Sequence, residues 1–100
     1  MNIKLNYLYR DASNYKNFGS IVFSNPNHIA LRNIERTIMQ NLIDNEYFVA
    51  EIWQLPSLFF SEQNEDDHIW HEYESLEFTY ENANSSTIDH FLLGLVITLN

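Results

Sequence analysis

The segment Asp66-Asp67-His68-Ile69-Trp70-His71-Glu72 packs carboxylates and imidazoles more densely than any other part of the chain. These are ligand types for zinc, manganese and iron, and a loop that runs into a strand can hold them near one another. The spacing works against convergence. His68 and His71 stand three apart, which gathers side chains on a helix but sends them to opposite sides of a regular strand. A bulge or turn here would bring them together, so His68, His71 and Asp67 are the metal-ligand candidates. A metal-dependent enzyme built on residues 66 to 72 is one open reading. In the structural alternative these groups hydrogen-bond loop amides and tie an acidic loop to the sheet, with Trp70 packed beneath. A recognition loop is the third.

Paired carboxylates offer a second chemistry. Glu77, Thr79 and Glu81 alternate along one strand face, where neighbouring acids would raise one another's pKa if the face were enclosed. Glu72 and Glu74 are read as carrying the same acidic strip toward the start of the strand. Such a strip opens to solvent, as an edge that discourages unwanted pairing or a surface for a cationic partner. The chain contains no cysteine, no Gly-x-Ser-x-Gly elbow, no glycine-rich phosphate loop and no dinucleotide fingerprint. No catalytic residue and no cofactor is assigned. Arg10, Asp11, Tyr15 and Lys16 cluster at a hairpin tip, as a small binding end or as a polar loop with one aromatic folded over it.

Charge separates the function classes. All five basic residues, Lys4, Arg10, Lys16, Arg32 and Arg36, fall within the first 36 positions, and twelve of the fourteen acids follow them, for a net charge of −9. A field of that sign repels phosphate backbones and anionic lipid and attracts cationic proteins. Nucleic acid and membrane are therefore not expected as partners. The leading expectation is a small acidic protein-binding module, such as an inhibitor or immunity-type protein for a basic toxin or nuclease. Its contact residues would be Glu62, Glu65, Asp66, Asp67, Glu72, Glu74, Glu77 and Glu81. A structural subunit, such as a homodimer without catalysis, is the remaining class.

The elements that must position these groups follow from periodicity. Ile3, Leu5, Tyr7 and Tyr9 alternate as a half-buried strand, and a polar turn over residues 11 to 17 leads to a second strand at Ser20–Ser24. Leu31, Ile34, Ile38 and Leu42 recur at helical spacing within His28–Ile43. Tyr47–Leu55 is apolar on both parities, as in a covered strand that Pro56 would end. Leu58-Phe59-Phe60 either closes one end of the core or remains a contact patch. After an acidic loop, the alternation of Leu76, Phe78 and Tyr80 marks a fourth strand. Ser86-Thr87-Ile88-Asp89 matches a capping box opening a last helix. With 100 residues there is room for one domain. The expected fold is a two-layer α+β sandwich, order ββαββα: a four-stranded, mainly antiparallel sheet with two helices on one face. The N-terminus lacks the apolar run of a secretory signal, so the chain is expected in the cytoplasm.

Overall fold

A computed structural model describes residues 1–60 and 67–98. The elements follow in the order β1 (Asn2–Arg10), β2 (Lys16–Phe23), α1 (Leu31–Gln40), β3 (Tyr47–Val49), β4 (Trp70–Thr79) and α2 (Ile88–Thr98). The strands form one antiparallel sheet in the order β2-β1-β4-β3, so this is a small α+β fold. Ile3, Leu5, Tyr7 and Tyr9 on one face of β1 are each no more than 1% exposed. That face meets Ile34 and Ile38 of α1 and Ile88, Phe91 and Leu95 of α2 in a single core. Among the described residues, no helix is long and apolar enough to cross a membrane.

Three elements differ from the sequence expectation, each for a local reason. β2 begins at Lys16 rather than Ser20 because the turn before it is tight. Asp11 Oδ1 accepts the amides of Ser13 and Tyr15, and Asn14 takes the left-handed conformation at φ 69°, which asparagine tolerates well. α1 is shorter than His28–Ile43. Asn25 holds both the N–H and the C=O of Ile29 with its side-chain amide, and His28 is left-handed at φ 51°, so the helix cannot start earlier. Beyond the helix, Asp44 and Asn45 are also left-handed, and Ile43 exchanges backbone bonds with Tyr47.

The strand expected over Tyr47–Leu55 shrinks to Tyr47–Val49. The chain then curls: Trp53 N–H reaches the Val49 carbonyl and Leu55 N–H the Ala50 carbonyl, with Gln54 left-handed at φ 57°. This turn carries Ala50, Trp53 and Leu55 into the core. Apolar residues on both parities were thus the mark of a buried turn, a pattern that periodicity does not separate from a covered strand.

At its start, α2 is capped one residue later than the Ser86-x-x-Asp89 pattern proposes. Thr87 Oγ1 accepts the His90 N–H at 3.1 Å, whereas Ser86 Oγ turns to the Thr87 carbonyl. Thr87→Ala should therefore lower the free energy of unfolding by about 1 kcal/mol. Ser86→Ala should leave it nearly unchanged, and urea denaturation of the two variants separates the assignments.

Candidate binding surface

β4 positions three of the acidic residues singled out above, Glu72, Glu74 and Glu77, through a register shift. Leu5 pairs with Leu76 and Asn6 with Ser75, but Tyr7 pairs with Tyr73, so Glu74 is an extra residue opposite β1. Strict alternation would set Glu72 on the face opposite Glu77. The bulge corrects the parity: His71, Tyr73 and Leu76 share the core face, while Glu72, Ser75, Glu77 and Thr79 share the other. Asn6 Nδ2 donating to Ser75 Oγ at 3.1 Å fixes that register, and Glu74 is exposed at the bulge.

Two of these carboxylates are neutralised. Glu72 takes a two-point hydrogen bond from Arg10, with Nε to Oε2 at 2.9 Å and Nη2 to Oε1 at 3.3 Å. The Glu72 side chain is only 11% exposed. Arg10 also donates to Asn14 Oδ1 at the hairpin tip, and its guanidinium is held above its ordinary pKa by Glu72. Lys4 Nζ donates to Glu81 Oε2 at 2.8 Å. That bond, aided by Thr79, holds the Glu81 carboxyl below its usual range and raises Lys4. Glu74 and Glu77 have no ion pair among the described residues and are exposed.

The Asp67–His71 group sits at the other end of β4 and is committed to backbone. Asp67 Oδ1 accepts the Ala12 N–H at 3.0 Å, tying the hairpin tip to the entry of β4. His68 Nδ1 accepts the Trp70 N–H at 3.0 Å, and the His68 carbonyl accepts the Tyr9 hydroxyl at 2.7 Å. His71 is 0% exposed. Its Nε2 accepts the Leu58 N–H at 2.9 Å, so the neutral ring carries its proton on Nδ1, 3.4 Å from the Ile69 carbonyl. Burial pushes the His71 pKa down, and Tyr7, Tyr9, Phe48 and Phe59 enclose the ring. His68 and His71 both lie against the Tyr9 ring, at 5.5 and 5.2 Å between centroids. Among the described residues, no three His, Asp or Glu groups are placed to hold a metal ion. In this arrangement the acceptor atoms of Asp67, His68 and His71, the three metal-ligand candidates, satisfy loop and strand amides. Glu62, Glu65 and Asp66 lie outside the described residues.

Leu58-Phe59-Phe60 closes this end of the core. Leu58 packs on the core cluster, and Phe59 and Phe60 meet the edge of Tyr9 at 4.9 and 6.2 Å between ring centroids. Leu58 also lies over β2 so closely that a Cβ on Gly19 would come within 2.7 Å of its Cδ2, so a larger residue there would require the leucine side chain to shift.

Sequence reasoning missed the Arg10–Glu72 pair, because a hairpin arginine and a glutamate 62 residues later carry no mutual signal. It also missed Asn84. That side chain accepts the Val22 N–H at 2.9 Å while its own N–H reaches the Val22 carbonyl, so it covers part of the outer edge of β2. No family model, curated protein or solved structure matches the chain.

Proposed function

We propose that this chain is a small protein-binding module for a cationic partner, of the kind an inhibitor or immunity protein forms with a basic toxin or nuclease. The observation that carries the reading is the pair Glu74 and Glu77, exposed on β4 beside Glu72 and Glu81 and without an ion pair among the described residues, Glu77 standing across the ladder from Lys4, which pairs with Glu81. Carboxylates so placed need break no existing ion pair to meet an incoming lysine or arginine, and they steer its approach. We read the two helices as covering one face of the sheet in a two-layer sandwich, which leaves the face bearing Glu72 and Glu77 for a partner. The lack of cysteine suits an encounter in the reducing cytoplasm.

The test uses a lysine-rich peptide as probe, titrated at low and high ionic strength. Binding should weaken with salt, and the double variant Glu74→Lys, Glu77→Lys should lose affinity by about tenfold or more, since two attractions become repulsions. Equal affinity of the variant and the native chain would remove these residues from the contact. The second class, an enzyme on residues 66 to 72, is not favoured by any group of this site.

A further inference from the structure

The way the sheet ends beside Glu77 defines how a partner would bind. Val22 turns its N–H and C=O away from β1, onto Asn84. In an antiparallel ladder the direction alternates along each strand, so Ile21 and Phe23 bond to Leu5 and Ile3. The odd-numbered residues of β1 thus spend their backbone groups on β2, and Lys4 and Asn6 spend theirs on Glu77 and Ser75 of β4. Leu76 and Phe78 are left pointing away from β1. β3 does not cover them, because its pairing with β4 is confined to residues 70 to 72, extended by one bond from Tyr73 N–H to the Glu46 carbonyl. Among the described residues nothing accepts from or donates to the Leu76 and Phe78 main chain on that side. Along this edge Leu76 is 8% exposed, Phe78 45% and the following Tyr80 90%. A depression of about 240 Å³ opens next to Phe78, lined also by Met1, Asn25, His28, Ile29 and Ala30.

We propose that the β4 edge at Leu76 and Phe78 accepts an extended segment of the partner as a fifth, antiparallel strand whose residues alternate between cationic and apolar. Direct pairing with Leu76 and Phe78 would put the apolar side chains on the core face, beside Phe78 and its depression. The cationic side chains would then stand on the opposite face with Glu77. The inference rests on the preceding reading that the partner is cationic, and it adds the main-chain recognition. A second copy of this chain fits the edge poorly. In the β4-against-β4 register that pairs Leu76 with Phe78, Glu77 would stand opposite its own copy, which destabilises a strand pair. The rest of the outer edge of β2, beside Lys16 and the exposed Phe18, could meet β4 only head to tail, in a contact that does not close.

Main-chain recognition is tested with a short capped peptide alternating lysine and valine and its two N-methylated forms. The valine amides are the ones that would face Leu76 and Phe78. N-methylation of the valines should abolish binding, N-methylation of the lysines should leave it nearly intact, and the bound unmodified peptide should slow amide exchange at Leu76 and Phe78 by about tenfold or more. Equal binding of the two methylated peptides, with unchanged exchange at both amides, would overturn strand addition while leaving the cationic-partner reading in place. Failure of every lysine peptide to bind would overturn both. Peptide binding that competes with a concentration-dependent rise in the mass of the protein would assign the edge to a second copy and also overturn the proposal.

Discussion

Truncation of Phe48 to alanine is expected to lower the free energy of unfolding by about 3–5 kcal/mol. The ring is 1% exposed on a strand of three residues. It stacks on Trp53 at 4.5 Å between centroids and meets Tyr7 edge-on at 5.6 Å. So short a strand has few ladder bonds to hold it, and Phe48 is the group that anchors both β3 and the turn that brings Trp53 inward. A loss of that size is a large share of the roughly 5–15 kcal/mol that holds a domain of this length together. Urea denaturation monitored by tryptophan fluorescence measures it, and a loss under about 1 kcal/mol would show that the turn after β3 repacks without the ring.

Replacing His71 with phenylalanine should change the pH dependence of stability as well as its size. Because burial lowers the His71 pKa below its ordinary value of about 6.5, the folded chain holds this ring neutral where the unfolded chain already takes up a proton. The stability so contributed is complete above about pH 6.5 and is lost as pH falls toward the folded value, with a slope of up to about 1.4 kcal/mol per pH unit. Phenylalanine cannot titrate, so the variant should lack this slope. Near neutral pH it should nevertheless be less stable by about 1–3 kcal/mol, because the Leu58 N–H loses the acceptor it has in Nε2. The two chains should therefore approach one another in stability as the solution is acidified. Unfolding curves collected from about pH 7 to 5 make the comparison, and parallel slopes would show that His71 titrates alike folded and unfolded.

Alternation and capping made much of the fold legible. The period of two in Ile3, Leu5, Tyr7 and Tyr9 marks a strand because one face of the sheet is dry, and Ile34 and Ile38 mark α1 for the same reason. What stayed hidden was decided by contacts between distant residues or by asparagine side chains bonding locally. The ends of α1 depend on Asn25 and on left-handed residues at both sides, and propensity does not register such positions. The bulge at Glu74 inverts which residues share a face, and no local pattern announces it. At the candidate surface, residue type was informative about charge but silent about pairing. Glu72 and Glu81 resemble Glu74 and Glu77 in the sequence, yet only the folded chain sets the first two against Arg10 and Lys4.

β1 and β4 are neighbours at the centre of the sheet, yet β2, α1 and β3 all lie between them along the chain. Until residues 70 to 79 emerge, β1 has only its hairpin partner, and Val22 keeps an uncovered edge until Asn84 arrives. Pairings of such long sequence separation form slowly. Between the synthesis of β2 and that of β4 the nascent chain therefore carries a two-stranded ribbon whose sheet is incomplete, and chaperone capture in that interval is the consequence of pairing strands so far apart in sequence.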